Sequence, residues 1–361
     1  MSESCREIFV PGRLAIIGEH TDWACTYRKQ NPTVGLGLCL VCVTSEGLYA
    51  SFRRSSFCGI TYRSDLEGIE RVFQHSFDID GLHDVARGDG FFAYVAGSMA
   101  AVLESTNLLA TESFGIEIVN HKTTLPMKKG LSSSAAICVL IVTCCDKLYN
   151  LSLDRDAIMT IAYKGEKKTK SNCGMMDFCV VMGANSVGLM TMNENAYCGL
   201  EKLIVKKTLY FVVADLKAGK NTVEILRQLN ACFPFAKNAD EALIHEYVRL
   251  NESLCADAVH AIENGDIDKL AAAMTQAQSN FDAGALLVCP QELTAPKLHA
   301  VLSDPVLKQM SLAAKGVGSQ GDGSVQVLCS TPEQQHQVLH YLRQMHGCEG
   351  FVLTVPATEA T

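Results

Sequence analysis

The segment from Pro126 to Ala135, PMKKGLSSSA, constrains this chain most, because two lysines, a glycine and three serines directly precede a long apolar stretch. The alanines and aliphatic residues of 135–148 predict a helix, whose first backbone N–H groups have no partner within the helix. Those groups and the helix dipole favour an anion such as phosphate. Gly130 permits close approach of a ligand, and Ser133 or Ser134 can place a hydroxyl on a magnesium ion that bridges phosphates. A buried helix capped by serine is the alternative.

A short apolar strand that enters a glycine turn is predicted near the N-terminus, where residues 11–23 are PGRLAIIGEHTDW. Glu19, His20 and Asp22 lie within four positions of one another in this turn. They cannot all be buried without partners, so we expect them to face a polar ligand such as a polyol. An ordinary solvated turn is the alternative for this segment taken alone.

A second glycine-rich segment, KGVGSQGDGS, covers residues 315–324. The carboxylate of Asp322 would repel a nearby phosphate unless it caps a turn or shares a metal ion. Because Asp beside Gly is a common turn pair, we expect a structural role for Asp322. The role of Gln320 stays open.

Together, and in their order along the chain, the three segments resemble the motifs of the GHMP family of small-molecule kinases. Residues 12–23 are most similar to the sugar-contacting motif of galactokinases. Residues 126–135, the serine loop, are similar to the family's phosphate-binding motif, and 315–324 corresponds to its glycine-rich third motif. The resemblance implies an α+β fold with two domains and the active site in the cleft between them. Residues 1–200 would form a domain similar to domain 2 of ribosomal protein S5, and residues 201–361 a ferredoxin-like domain.

The segment from Gly165 to Asp177 resembles the part of these kinases that supplies the chemistry. Phosphoryl transfer to an alcohol needs an acidic group near the hydroxyl, cations near the phosphates and magnesium between them. Asp177 is similar in setting to the catalytic aspartate that follows a Cys-Gly pair in galactokinases, and Arg13 is its natural partner. Their ion pair would keep the carboxylate ionised, so that it can orient the acceptor hydroxyl or accept its proton.

The spacing between Glu166 and Asp177, 11 residues, resembles that of the magnesium-binding glutamate in mevalonate kinases. A solvated helix charge beside Lys167 and Lys168 is the alternative for Glu166. By contrast, Arg13 favours the galactokinase branch, because mevalonate kinases carry a lysine there.

The resemblance implies a complete set of site residues. We expect catalysis by Asp177 and Arg13, substrate binding by Glu19, His20, Asp22 and Gly174, ATP binding by Lys128, Lys129, Gly130, Leu131, Ser132, Ser133, Ser134 and Ala135, and magnesium binding by Ser133, Ser134 and Glu166.

The expected activity is an ATP- and Mg²⁺-dependent transfer of phosphate to a hydroxyl of a small sugar, galactokinase-like and giving a sugar 1-phosphate. Mevalonate kinase is the first alternative. A catalytically silent member that binds sugar and nucleotide as a sensor is an alternative of another class, although the acid, cation and metal set is present in the sequence. The sequence does not decide which sugar is bound, or between a monomer and a homodimer.

The composition agrees with a metabolic enzyme. At 361 residues and 48% hydrophobic, the chain can bury a large core. A net charge of −8 gives no general attraction to nucleic acid or to acidic membrane surfaces. Most of the 16 cysteines lie in apolar runs, which is typical of a reducing compartment. The first residues lack the pattern of a signal peptide, so we expect a cytoplasmic protein.

Periodicity predicts strands at 34–52, 114–119, 209–215, 325–329 and 351–355, and helices at 89–106, 133–149, 240–264, 267–281 and 332–345. Strands and helices mix along the chain, which indicates an α+β protein.

Overall fold

The computed structural model describes residues 5–66, 69–108, 113–125, 129–171 and 173–358. Strands are β1 Arg6–Ile17, β2 Gly37–Ser55, β3 Gly59–Leu66, β4 Ile69–Ser76, β5 Gly115–Thr123, β6 Val187–Asn193, β7 Ala196–Lys202, β8 Leu209–Asp215, β9 Ala313–Gly316, β10 Ser324–Cys329 and β11 Glu349–Val355. Helices are α1 Thr21–Ala24, α2 Ile79–Arg87, α3 Ala93–Ser105, α4 Ser133–Tyr149, α5 Arg155–Lys167, α6 Thr222–Asn230, α7 Ala239–Asn264, α8 Ile267–Val288, α9 Pro290–Leu293, α10 Pro296–Ser303, α11 Pro305–Met310 and α12 Pro332–His346, with 3₁₀ helices at Cys25–Lys29 and Met176–Met182.

The first sheet is built around β2, a 19-residue strand that pairs with β1, β5 and β6. The strand order is β4-β3-β5-β2-β6-β7, and β1 also pairs with β2. All pairings in this sheet are antiparallel except that of β3 with β5. The second sheet has the order β11-β8-β10-β9 and is antiparallel throughout.

Helix α4 is apolar around almost its whole circumference, and it packs in the core of the first half, because a helix without a polar face is stable only when buried. Helices α3 and α5 cross at two glycines, where a Cβ on Gly97 would overlap the carbonyl oxygen of Gly165. This close crossing positions the residue that follows Gly165, the buried Glu166, beneath the start of α4.

The predicted α+β class is confirmed, and several elements agree closely with their predicted bounds. Helix 133–149 and strand 209–215 begin and end where they were predicted. The helix expected to end at Phe281 continues to Val288. Strand β4 was not predicted, because Phe73 is its one buried residue and its sequence has no alternation of apolar and polar residues.

The two sheets divide along the chain, since the last strand of the first ends at Lys202 and the first strand of the second begins at Leu209. A domain boundary near residue 200 stays a prediction. No helix within the described ranges is long and apolar enough to cross a membrane.

We expect Gly97→Ala to lower the free energy of unfolding by about 1–3 kcal/mol, because the new methyl group must push α3 away from α5. Chemical denaturation monitored by circular dichroism measures this change. Gly90→Ala is the matched control, since a Cβ at Gly90 meets no atom within 4 Å. Equal stability of the two variants would contradict the close crossing.

Candidate active site

The site forms where the serine loop, the turn after β1 and the 315–324 loop meet. A Cβ on Gly130 would lie 2.9 Å from the carbonyl oxygen of Val317, and one on Gly318 would lie 3.1 Å from Gly130 itself. The Ser324 hydroxyl donates to the carbonyl oxygen of Lys129 at 2.9 Å. Both glycines have positive φ, 80° and 62°, which glycine adopts without steric cost. These contacts make the serine loop and the 315–324 loop neighbours, and Lys315 joins the latter to Glu19 in the turn after β1.

Arg13, from β1, forms an ion pair with Asp177, the second residue of the 3₁₀ helix that begins at Met176. The arginine side chain is 3% exposed and the aspartate side chain 20% exposed. Arg13 also donates from Nη1 to the carbonyl oxygen of Gly130 at 3.3 Å. One guanidinium thus connects the expected acid–base group to the serine loop.

Asp22, in α1, lies on the same side of the site. Its Oδ2 accepts a hydrogen bond from the backbone N–H of Met176 at 3.4 Å. Burial, and then the negative charge of Asp177, raise the pKa of Asp22 to about 6. A Cβ on Gly174 would overlap the Asp22 carboxylate, so a larger residue there would displace that side chain.

Glu166 is fully buried, which excludes the solvated helix face considered from the sequence. Its Oε1 accepts from the Ser171 hydroxyl at 2.8 Å, while its Oε2 makes no hydrogen bond of normal geometry with any described residue. Burial and then Asp177 raise the pKa of Glu166 to about 7, and the hydroxyl groups of Ser171 and Ser134 oppose this shift. An unpartnered carboxylate oxygen beside the serine loop is suited to a cation.

Glu19 differs from the expectation of a free, ligand-facing carboxylate. It is 2% exposed and forms an ion pair with Lys315, whose Nζ lies 2.5 Å from Glu19 Oε1. Lys315 is itself fully buried on β9. The Glu19 carboxylate is therefore occupied by a cation from the second sheet.

His20 precedes α1 in a left-handed conformation, with φ 70°. Its ring is buried and stacks on Phe281 of α8, with the ring centroids 5.3 Å apart and the planes 5° apart. Burial lowers the pKa of His20 to about 3, and the nearby cations Lys220 and Lys315 contribute, so the imidazole is neutral near pH 7.

The serine loop leads into α4 as predicted. Leu131 is buried and its carbonyl oxygen accepts from the backbone N–H of Arg13 at 3.1 Å. Ser132 has a left-handed backbone, Ser133 and Ser134 open the helix, and Ala135 is buried behind them.

Of the two lysines expected at the phosphates, Lys129 belongs to the described residues. Lys129 forms an ion pair with Asp215, at 2.8 Å, and this contact links the loop to the end of β8. Lys128 lies outside the described residues.

Lys220, in the loop after β8, was missed by the sequence analysis. Its Nζ donates to the carbonyl oxygens of Gln320, at 2.9 Å, and Val317, at 3.3 Å. Burial and then the charge of Arg13 lower its pKa to about 8. Only its setting, AGKNT between a strand and a helix, could have suggested a loop cation, and that pattern is common.

The predicted structural role of Asp322 is confirmed. Its Oδ1 accepts from the backbone N–H of Leu298 at 2.9 Å, in the first turn of α10. Gln320 adopts a left-handed conformation, with φ 65°.

Within the described ranges, no group of three or more His, Cys, Asp or Glu side chains could hold a metal ion. A magnesium ion that takes one carboxylate and completes its shell with phosphate oxygens and water needs no such group. Glu166 and Ser134 fit this arrangement, because Glu166 Oε2 is buried and unpartnered.

A family model, the GHMP kinases N terminal domain, matches residues 93–184. A galactokinase of Exiguobacterium sibiricum is 30% identical over 196 residues, which are 52% of this chain and 44% of that protein. The chain thus spans less than half the length of this relative.

Among solved structures, Lactococcus lactis galactokinase complexed with galactose superposes with a TM-score of 0.71 at 15% identity, covering 99% of this chain and 95% of that one. Methanococcus jannaschii mevalonate kinase gives a TM-score of 0.71 at 17% identity, covering 99% and 100%. Residues 93–184 therefore match the GHMP kinases N terminal domain, and the chain as a whole shares the fold of these galactokinase and mevalonate kinase structures.

Proposed function

We propose that this protein is a kinase that transfers the γ-phosphate of ATP to a hydroxyl of a small neutral sugar, giving a sugar 1-phosphate. The observation that carries the proposal is the ion pair between the buried Arg13 and the half-buried Asp177, where the serine loop meets the catalytic segment. The relatives named galactokinase support it, as does the fold shared with a galactokinase complexed with galactose. The chain would use residues 1–200 to hold ATP and sugar and 201–361 to close the site.

In this mechanism Asp177 orients the acceptor hydroxyl and takes up its proton as the oxygen attacks the γ-phosphorus. Arg13 holds Asp177 in place through their ion pair and offsets negative charge that develops on the transferred group. Backbone N–H groups at the start of α4 would hold the phosphates, with Gly130 allowing their close approach. Lys220 Nζ lies 3.4 Å from the position that a Cβ on Gly130 would take, so it would add positive charge beside the loop.

Magnesium, when bound between the phosphates, supplies positive charge against the leaving and transferred groups. Glu166 and Ser134, with Ser133 beside them, are the residues proposed to hold it. Their contribution depends on the ionised form of Glu166, which the buried setting disfavours below pH 7.

Mevalonate kinase is the second candidate, favoured by the 11-residue spacing from Glu166 to Asp177. The electrostatics of the pocket argue against an anionic substrate mainly through Asp22, because Asp177, which lies close enough to raise the pKa of Asp22, is itself paired with Arg13. Glu19 does not add to this repulsion, because Lys315 neutralises it. Partial protonation of Asp22 near pH 6 weakens the repulsion at acidic pH.

We expect Asp177→Asn to lower kcat by about two to four orders of magnitude while ATP affinity changes little, since a positioned acid–base group is lost. Coupled release of ADP measures the rate. The control is Asp84→Asn, which removes an exposed aspartate that pairs with Arg87 at 3.5 Å. Turnover near that of the wild type would exclude Asp177 from catalysis, and absence of turnover in the wild type with every acceptor would favour the sensor.

We expect a screen of neutral sugars, uronic acids and mevalonate to show turnover of a neutral sugar, and Asp22→Ala to raise the KM for that sugar strongly. A site that bonds a substrate hydroxyl loses this discrimination when its polar group is removed. The KM for ATP should stay nearly unchanged in the same variant. Efficient turnover of mevalonate without turnover of any neutral sugar would establish the second candidate instead.

We expect the magnesium concentration for half-maximal rate to rise about tenfold between pH 8 and pH 6, because Glu166 takes up a proton near pH 7. Glu166→Gln should need more magnesium at pH 8 and lose most of this pH dependence. A magnesium titration at several pH values, with and without the substitution, measures both effects. Identical curves for the two proteins would remove Glu166 from the metal site.

The stability of Glu166→Gln without magnesium provides the control for folding. Burial raises the pKa of Glu166 from 4.5 to about 7, so the protonated group stabilises the fold fully below pH 4.5. That contribution is lost as the pH rises through 7. The variant should therefore be more stable than the wild type at pH 8 and no more stable at pH 4.5.

A further inference from the structure

The turn that carries His20 contains the single tryptophan of the chain, Trp23. Its indole Nε1–H donates to Nδ1 of His20 at 3.3 Å, and the two rings meet edge to face with centroids 5.9 Å apart. Indole nitrogen is a donor only. The contact therefore requires that Nδ1 of His20 carry no proton.

A neutral imidazole has one ring proton, so an unprotonated Nδ1 places that proton on Nε2. His20 is neutral because burial and the charges of Lys220 and Lys315 oppose protonation. Nε2 is buried and makes no hydrogen bond of normal geometry with any residue in the described part of the chain. The ring thus holds a buried donor whose contact with the described part of the protein is limited to a loose approach to the Ser319 backbone.

The backbone and the opposite half of the molecule hold this ring in place. His20 has φ 70°, a region that costs a non-glycine residue energy and that is retained where surrounding contacts enforce it. Phe281 stacks on the ring from α8, and Trp23 itself packs against Phe233 at a centroid distance of 5.5 Å. The ring faces the 315–324 loop, where the Ser319 backbone approaches it.

We infer that Trp23 is a positioning residue that fixes His20 as the neutral Nε2–H tautomer, so that the ring presents a hydrogen-bond donor to an acceptor oxygen of the sugar. The hydrogen bond from His20 to a sugar rests on the proposed function, whereas the assignment of the tautomer does not. Without the indole donor, the ring can place its proton on either nitrogen, and only one of the two forms donates from Nε2.

The test is ¹⁵N NMR of protein labelled at histidine, which distinguishes the two neutral tautomers and the protonated ring. In the wild type we expect His20 to be the Nε2–H tautomer throughout pH 6–8. Trp23→Phe keeps an aromatic ring and removes the donor, and it should shift the tautomer ratio about fivefold toward Nδ1–H, the factor typical of one lost hydrogen bond. The same variant should raise the KM for the sugar about three- to tenfold and leave the KM for ATP unchanged.

Tyr27→Phe is the matched control. It removes a hydroxyl, which donates to Asn230 at 3.2 Å, from the same aromatic cluster, where Tyr27 stacks on Phe233. We expect its tautomer ratio and sugar KM to equal those of the wild type. Similar effects of both variants would indicate a general loosening of the cluster and overturn the assignment to Trp23.

The wild-type spectrum tests the tautomer of His20 even if Trp23→Phe fails to fold. An Nδ1–H tautomer, or a protonated His20 at pH 6, would overturn the inference. An Nε2–H tautomer that Trp23→Phe leaves unchanged would do the same. An Nε2–H tautomer lost in Trp23→Phe, in a protein that phosphorylates no sugar, would support the positioning role and refute the proposed function.

Discussion

A buried ion pair between Glu19 and Lys315 connects the two halves of the molecule. The two side chains are 2% and 0% exposed, and they come from the turn after β1 and from β9 of the second sheet. A charge left alone in such a setting destabilises a protein by several kcal/mol, so neither partner is stable there without the other. The serine loop and the 315–324 loop can therefore meet at one place only when both sheets have folded and docked.

The rest of the site depends on charges that this docking keeps away from water. Burial, and then the charge of Asp177, raise the pKa values of Asp22 and Glu166, and Asp177 raises that of Arg13 against the opposing effect of burial. Groups held against their preferred protonation state reduce stability, and they respond strongly when an opposite charge arrives. A phosphate with its cation would bring such charges to Arg13 and Lys220 on one side and Glu166 on the other.

Local sequence patterns and the resemblance to known kinases predicted part of the structure correctly. The helix 133–149 followed from a continuous apolar stretch, and the Arg13–Asp177 pair followed from the resemblance to known kinases. The partners of Glu19 and His20 could not be predicted, because Lys315 and Phe281 are more than 250 residues away in sequence and no local pattern records that contact. The contacts of Lys220 could not be predicted for the same reason, because they come from the 315–324 loop that folds over it.

The departures of the 315–324 loop from a pure glycine run have separate physical explanations. Asp322 directs its carboxylate to the backbone of α10 and so uses its charge to cap a helix, away from the Gly130–Gly318 contact. Gln320 adopts the left-handed backbone that glycine would favour, while its carbonyl oxygen accepts from the Lys220 ammonium group. Gly318 is retained at the position where the loop lies against Gly130 and leaves little room for a side chain. The carboxylate of Asp322 thus does not face the serine loop. Gln320 and Asp322 are therefore compatible with a bound phosphate.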